Sequence, residues 1–307
     1  MVSVFKHADS LRVELSVDDI KLAEWAASET DLARRELRQA IHLILRAIAQ
    51  DKSLAPIMIM KGGILLAIRY QSSRFTTDVD FSTPRHLQDI DLPSLLMDIQ
   101  RALLPVSAAN DYGLALSLQS HKINPPNRPE VSFPTLQLKI GYANRLNPNA
   151  MRRFLLKQAP KTIQIDYSFN EWVSEFEAQN VDGGVLNMYA YHDLIAEKLR
   201  SVLQQPIRER ARFQDIYDLF LLVEGTTPTG EDKQAILEKL HAACADRKVP
   251  LFKYALRQQD VIEYSKKEYG TIAALIKDPP KFDLAYRVVQ EFFEDLPWSD
   301  DEIDKSS

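Results

Sequence analysis

Two aspartates separated by a single residue are the most chemically informative feature of the sequence. Asp78 and Asp80 flank Val79, a few residues after Arg74. Successive side chains of a β-strand alternate between its faces, so the two carboxylates are expected on the same face. Neighbouring carboxylates repel each other unless a cation lies between them, and hard oxygen ligands suit Mg²⁺ or Mn²⁺. The pair therefore predicts a divalent-metal site held by Asp78 and Asp80.

A pair of glycines precedes the aspartates and indicates a second component of the same chemistry. Gly62 and Gly63 follow Lys61 and open an apolar run of helical character. Glycines at a helix N-terminus expose backbone N–H groups and the positive end of the helix dipole, which favours a phosphate. Lys61 is expected either to close the preceding strand at the surface or to place a cation near that phosphate. A metal beside a phosphate cradle indicates phosphoryl or nucleotidyl transfer from a nucleoside triphosphate (NTP).

Two further charged residues are candidates for this site. Asp166 lies in the alternating apolar segment 162–167. If its strand neighbours that of Asp80, a third carboxylate joins the set around one or two metal ions. The alternative for Asp166 is a solvent-exposed acid at a strand end. Arg74 is expected either to form a salt bridge with the acids or to contact a phosphate.

Later in the chain, two charged residues lie on the apolar faces of predicted helices. Lys198 shares a face with Leu194, and Asp215 lies on the apolar face of segment 212–219. Burying an unpaired charge costs several kcal/mol, so each is expected to have a partner. One interpretation is a mutual salt bridge that joins the two helices. In the other, Lys198 contacts the nucleotide phosphates while Asp215 orients it or acts as a base, and both can hold together. Asp218, on the flank, is expected to be structural.

The hydrophobic pattern predicts which elements position these residues. Helices are predicted at residues 17–50 (capped by Ser16 or Asp18), 64–70 and 92–104. Strands are predicted at residues 57–60, around Asp78 and Asp80, and at 114–118, 135–140 and 162–167. After Asp182-Gly183-Gly184 the pattern becomes helical almost to the end. We therefore expect an α+β fold with two lobes, residues 1–184 around a small mixed sheet and residues 185–307 built from helices.

Composition restricts the class of protein. A chain of 307 residues with a net charge of −5 is not a generic nucleic-acid binder, which would usually be basic. Basic residues do cluster in two segments, at Arg145, Arg152, Arg153, Lys157 and Lys161 and at Lys198, Arg200, Arg208, Arg210 and Arg212. Such clusters are more often solvated faces, so they give only weak support to a polyanionic substrate. No apolar run approaches the roughly 20 residues of a membrane span, and the only cysteine in the sequence excludes an intrachain disulfide. A cytoplasmic protein with no membrane partner is expected.

Together these segments resemble the AbiEii/AbiGii-type nucleotidyltransferase toxins of the DNA polymerase β-like superfamily. The first family motif is a glycine pair before a helix, then Arg, a small polar residue and Asp-x-Asp-Phe. It is matched by Gly62-Gly63, Arg74 and residues 77–81. The later motifs, Glu-Lys-Leu-Arg and Asp-x-Tyr-Asp-Leu, are matched by residues 197–200 and 215–219. The resemblance covers roughly residues 57–223.

The resemblance implies a polymerase β-like nucleotidyltransferase lobe joined by a helical C-terminal lobe that completes the active-site cleft. It implies a metal-dependent enzyme that transfers NMP from an NTP to an acceptor, an RNA such as the 3′ end of tRNA. It also implies the toxin of a bacterial toxin–antitoxin or abortive-infection system, with the antitoxin encoded nearby.

By the family pattern, the metal is held by Asp78 and Asp80, Lys198 contacts the nucleotide and Asp215 is catalytic. We expect three catalytic residues, namely Asp80, Lys198 and Asp215. Nucleotide binding is expected at Lys61, Gly62, Gly63, Arg74 and Lys198, and metal binding at Asp78, Asp80 and Asp166.

The sequence departs from the wider superfamily at the glycine pair. The second glycine of that motif is commonly a serine that contacts phosphate directly, whereas Gly63 offers only its backbone N–H. Asp166 is not part of the toxin pattern and rests on its own strand context. Two alternatives use the same fold: a kinase-like phosphotransferase toxin, and a non-catalytic module that binds a nucleotide or a partner.

Overall fold

A seven-stranded mixed sheet dominates the part of the chain that contains Asp78 and Asp80. The computed structural model describes residues 20–126 and 131–303, so the predicted caps Ser16 and Asp18 lie outside the described residues. The described chain divides into two units. We call them the sheet unit (residues 20–71 and 76–189) and the helical unit (residues 72–75 and 190–303).

The strands of the sheet unit lie in the order β3-β4-β5-β2-β1-β7-β6. Neighbours are antiparallel except for two parallel pairs, β2 with β5 and β1 with β7. The strands are β1 (Ile59–Lys61), β2 (Val79–Ser82), β3 (Leu114–Asn124), β4 (Thr135–Asn144), β5 (Lys161–Ser168), β6 (Phe176–Val181) and β7 (Gly184–Tyr189).

Five α-helices belong to the sheet unit, and two of them build its core. The helices are α1 (Leu22–Ala27), α2 (Leu32–Gln50), α3 (Gly62–Arg69), α4 (Leu92–Ala108) and α5 (Pro148–Leu155). Apolar side chains of α2 and α4, such as Ile44 and Ile99, meet Leu138 of β4 and Ile165 of β5. Because strand residues alternate between faces, Gln137 and Asp166 point to the opposite face. The core thus fixes which face of the sheet carries the carboxylates.

The helical unit contains the remaining α-helices of the described chain. They are α6 (Tyr191–Leu203), α7 (Gln205–Arg208), α8 (Phe213–Glu224), α9 (Gly230–Arg247), α10 (Gln259–Lys266), α11 (Phe282–Glu294) and α12 (Asp300–Ile303). The short segment Ser72–Phe75 belongs to this unit. It is held there by the backbone N–H of Phe75, which donates to the carbonyl of Leu275 at 3.0 Å. Arg74 is therefore a residue of the helical unit.

The α+β fold class is confirmed, but two local predictions were wrong. The predicted helix over residues 17–50 is broken into α1 and α2, because the Asp31 side chain caps α2 by accepting from the Arg34 N–H at 2.8 Å. Residues 184–189 are not helical but form β7, which pairs with β6 across a tight turn. Both turn residues, Asp182 and Gly183, have positive φ, at 46° and 77°. Helical structure begins only at Tyr191.

None of the helices within residues 20–126 and 131–303 combines the length and apolar character that a membrane crossing requires.

Candidate active site

The glycine pair lies where β1 passes into α3. Strand β1 ends at Lys61, which pairs with Asp80 of β2, and α3 begins at Gly62. Gly62 has φ +76°, and a Cβ built there would lie 2.1 Å from Oδ2 of Asp80. Only glycine combines this left-handed backbone with such close approach to a carboxylate. The N-terminus of α3 and the Asp80 side chain therefore share one corner of the sheet unit.

Asp80 and Asp166 lie side by side on neighbouring parallel strands. The register of β2 and β5 pairs Asp80 directly with Asp166. Adjacent strands are about 4.8 Å apart, so the two side chains emerge next to each other on one face. Asp78 immediately precedes β2, and Val79, between the aspartates, is buried on the core side. The strand adjacency that the interpretation of Asp166 required is thus present.

The electrostatics of Asp78 show that these carboxylates influence one another. Burial raises the pKa of Asp78, and the nearby negative charge of Asp166 raises it further. A hydrogen bond from the Thr77 hydroxyl, 3.2 Å from Oδ1, acts in the opposite direction. A cation bound among these oxygens would favour their charged forms.

Two glutamines orient the Asp166 carboxylate. The amide of Gln137, across the sheet in β4, donates to Oδ1 at 2.9 Å. The amide of Gln164 donates to both oxygens at 3.1 Å. Neutral donors hold the carboxylate in place without neutralising its charge, so Asp166 can still attract a cation.

The carboxylates fit a divalent cation that is shared with a substrate. Among the described residues, no three Asp, Glu, His or Cys side chains are grouped closely enough to form a metal site by themselves. Mg²⁺ commonly keeps several waters and binds through one or two carboxylates together with substrate phosphates. The Asp80–Asp166 pair next to the N-terminus of α3 provides such a partial set of oxygens beside a place for phosphate.

Lys61 lies near this corner and is buried. Its ammonium is 3.7 Å from Oε1 of Glu171 and 5.7 Å from the ring centre of Tyr189. A salt bridge and a cation–π contact stabilise its charge inside the sheet unit. A role in phosphate binding stays a prediction for Lys61.

In the helical unit, Lys198 and Asp215 do form the predicted salt bridge, but as part of a larger network. The Lys198 ammonium donates to Asp215 Oδ1 at 3.0 Å and to Asp218 Oδ2 at 2.7 Å. Arg74 binds both carboxylate oxygens of Asp218, each at 2.9 Å, and donates to Gln214 at 3.2 Å. All four charged residues are buried.

The buried charges of this network stabilise one another. Burial alone would lower the pKa of Lys198, but the negative charges of Asp215 and Asp218 outweigh it and raise that pKa. Burial alone would raise the pKa of Asp218, but Lys198 and Arg74 outweigh it and lower that pKa. Lys198 and Asp218 are therefore both charged at neutral pH.

Asp218 is the residue whose importance the sequence interpretation missed. It lies between two cations, although it was expected to be a flanking structural residue. One signal was present, since Asp215 and Asp218 are three residues apart and face the same neighbouring helix. The pairing with Arg74 spans 144 residues of chain, which no local pattern reveals. The phosphate contact predicted for Arg74 stays a prediction.

Comparison with known proteins decides the family. A family profile described as "Nucleotidyl transferase AbiEii toxin, Type IV TA system" matches residues 43–288, well over half of the chain. The chain belongs to the AbiEii family. The AbiEii match contains the glycine pair, the Lys198 network of the helical unit and the aspartates Asp78, Asp80 and Asp166. The chain is accordingly a nucleotidyltransferase of a toxin–antitoxin family.

Structural comparison gives a distant neighbour of this AbiEii protein. A crystal structure of a candidate nucleotidyltransferase from H. pylori aligns over 87% of this chain and 94% of its own, with 15% sequence identity and a TM-score of 0.46. No curated protein matches the sequence.

Proposed function

We propose that this AbiEii protein transfers NMP from an NTP to an RNA acceptor, the 3′ end of tRNA, in a reaction that depends on Mg²⁺ or Mn²⁺. The proposal rests mainly on one observation: the register of strands β2 and β5 places Asp80 next to Asp166, beside the start of α3 at Gly62. Carboxylates next to a helix N-terminus provide oxygens for a cation and N–H groups for a phosphate within one corner of the fold.

Residues of the sheet unit would bind the cation and the triphosphate. Asp78, Asp80 and Asp166 would hold the divalent cation, which when bound neutralises charge on the triphosphate and the leaving pyrophosphate. The N-terminus of α3 at Gly62 and Gly63 would bind phosphate oxygens through backbone N–H groups. Gln137 and Gln164 would keep the Asp166 carboxylate oriented while substrate binds.

Three residues of the helical unit are proposed to act on the nucleotide. Lys198 would bind the phosphates, and Asp215 would either fix the position of the Lys198 ammonium or accept a proton from the acceptor hydroxyl. Arg74 would stabilise the developing charge. The salt bridges of Lys198 and Arg74 with Asp218 support a positioning role for Asp218 toward both cations.

The family supports a biological role for this reaction. We propose that transfer to tRNA makes the protein toxic in the cytoplasm, where NTPs and tRNA are available, and that an antitoxin encoded nearby counteracts it. The Type IV toxin–antitoxin description of the family supports this proposal.

Labelled NTPs test the reaction type. Purified protein is incubated with total cellular RNA, Mg²⁺ and each NTP labelled at the α or the γ phosphate. We expect the α label to enter tRNA, and Asp80→Asn to reduce that transfer at least a hundredfold. Asp111→Asn removes an exposed carboxylate of the same unit and should leave transfer unchanged.

Transfer of the γ label instead would identify a phosphotransferase and overturn the proposal. Equal α-label transfer by the wild type and a folded Asp80→Asn variant would overturn the role of Asp80.

A further inference from the structure

One face of strands β3, β4 and β5 is polar and leads to the carboxylates. The opposite face packs against α2 and α4. We call the polar side the open face. It carries Gln137 and Asp166, whose side chains are hydrogen-bonded, and the exposed side chains of Lys139 and Thr162. Asp166 is thus one end of an accessible polar surface.

The far end of the open face is covered by α5. Phe154 of α5 packs on Ala115 and Ala143, which lie on the same side of the sheet as Gln137. Thr162 and Asp166 are four residues apart in β5, or about 13 Å at the rise of a strand. A stacked nucleic-acid strand rises about 3.4 Å per nucleotide, so about four nucleotides cover this distance.

The chain segment that builds most of this surface is basic although the chain is acidic overall. Residues 131–165, which run from β4 through α5 into β5, contain six Lys or Arg and no Asp or Glu, against a net charge of −5 for the whole chain. Such a local excess of one sign attracts a polyanion despite the overall charge.

Four cations on or beside the open face are available to a ligand. The side chains of Lys122, Lys139, Arg152 and Arg153 are exposed. Within the described residues, no carboxylate lies within salt-bridge distance of any of them. Lys122 pairs with Gln137 in the β3–β4 register and so shares the open face. Unpaired cations of this kind bind phosphates without first breaking a salt bridge.

The surroundings favour RNA over a protein partner. The exposed side chains of the strands on the open face, Ser120, Lys122, Lys139 and Thr162, are all polar, whereas the centre of a protein interface is usually apolar and depleted in lysine. The exposed side of α5 is mixed, since it carries Leu155 as well as Arg152 and Arg153. Arg153 also borders an open cavity of about 540 Å³, whose lining includes Asn144, Asn147 and Asn149 together with Glu36 and Lys161, which form a salt bridge with each other. A cavity of this size can accept a nucleotide, and asparagine amides can bond to base edges.

We infer that the open face and the exposed side of α5 form the surface that binds the phosphate backbone of the RNA acceptor and directs it toward Asp166. This inference rests on the proposed function, because it assigns a path to the acceptor of that reaction. It adds four residues outside the family motifs: Lys122, Lys139, Arg152 and Arg153.

The test compares two quadruple variants of the full chain with equal loss of charge. The first changes the four cations of the surface to Gln (K122Q, K139Q, R152Q and R153Q). The control changes four exposed cations elsewhere, each without a salt bridge within the described residues (K52Q, K277Q, K281Q and R287Q). Binding of fluorescently labelled bulk tRNA is followed by anisotropy between 50 and 200 mM salt, values chosen around the range in which phosphate contacts are strongly salt-dependent.

We expect the surface variant to bind tRNA at least about tenfold more weakly at the lowest salt, with the control close to wild type. Each lost phosphate contact should reduce the slope of log K against log salt by about 0.7 to 0.9. Equal weakening in both variants, no weakening in the surface variant, or no tRNA binding by the wild type would each overturn the inference.

The inference and the proposed function can fail separately. Asp80→Asn should keep wild-type tRNA affinity while losing transfer of the α label. If the surface variant loses tRNA binding but the wild type transfers no label to RNA, the RNA-binding surface is supported and the proposed chemistry is refuted. If the wild type transfers the α label but the surface variant binds tRNA as well as the wild type does, the assignment of the RNA-binding surface is refuted and the proposed chemistry stands.

Discussion

Replacing Gly62 with alanine should lower both the stability and the activity of the protein, because the added methyl group would collide with the Asp80 side chain. Gly183 has no such neighbour and serves as the control. A Cβ at Gly62 would lie 2.1 Å from Oδ2, 2.8 Å from Cγ and 2.9 Å from Cβ of Asp80. The whole Asp80 side chain would have to move, because the overlap extends to its own Cβ. Gly62 also has φ +76°, which costs an L-residue about 1–2 kcal/mol.

Gly183 separates the two effects. Its φ is +77°, nearly that of Gly62, but no heavy atom lies within 4 Å of a Cβ built there. Gly183→Ala should therefore cost only the backbone term of about 1–2 kcal/mol. Gly62→Ala adds the cost of overpacking, about 1–3 kcal/mol, for a total of about 2–5 kcal/mol.

Urea unfolding of both variants gives the two free energies, and transfer of the α label from NTP gives the activity. Gly62→Ala should lose at least about tenfold in transfer because the Asp80 carboxylate is displaced, whereas Gly183→Ala should retain wild-type activity. Equal destabilisation and equal activity in the two variants would show that Asp80 does not lie against the start of α3.

Three further predictions concern the helical unit. Asp218→Ala removes a partner of the buried charges of Arg74 and Lys198, so it should lower the free energy of unfolding by about 3–5 kcal/mol. Urea titration measures this change, and the control Glu238→Ala, at an exposed site, should alter the free energy of unfolding little. The pKa of Asp218 is lower in the folded protein than the value of about 3.9 expected for the unfolded chain. The stabilisation of the folded state by ionised Asp218 is therefore fully present above that value and is lost as the pH falls below it. The stability gap between wild type and Asp218→Asn should therefore be constant from pH 5 to 8 (chosen to lie above that value) and shrink in acid; a gap that grows in acid would contradict the assignment. Burial raises the pKa of the Cys244 thiol to about 12, so Cys244 should resist a thiol reagent such as DTNB at pH 8 in the folded protein and react in urea, and rapid reaction without urea would disprove its burial.

The elements around the aspartates were predictable from sequence because their signals are local. Alternation of apolar and polar residues in 135–140 and 162–167 marks strands with one buried face, and β4 and β5 are found there. The glycine pair likewise marks the start of α3, since Gly62 needs a backbone conformation that other residues avoid.

The hairpin of β6 and β7 was missed although its signal is also local. Asp182-Gly183 is a dipeptide typical of tight hairpin turns, and both residues have the positive φ that such turns require. Reading the glycines at 183 and 184 as a boundary between lobes instead predicts a start of the helical part that is too early. The break between α1 and α2 was missed in the same way, since the capping preference of Asp31 was available.

The Arg74 pairing could not be read from the sequence. An arginine four residues before Asp78 invites pairing with the nearby acids, but its guanidinium binds Asp218. Which distant carboxylate a buried arginine meets is decided by how the chain packs. The role of Asp218 follows from that packing and not from its position in a motif.

Binding of Mn²⁺ tests directly whether the carboxylates of the sheet unit hold the catalytic cation with the NTP. Electron paramagnetic resonance measures free Mn²⁺ in the presence of a non-hydrolysable NTP analogue and wild-type, Asp80→Asn, Asp166→Asn or Asp111→Asn protein. We expect bound Mn²⁺ with the wild type and Asp111→Asn, and binding at least about tenfold weaker with Asp80→Asn and with Asp166→Asn. Wild-type affinity for Mn²⁺ in a folded Asp80→Asn protein would contradict it.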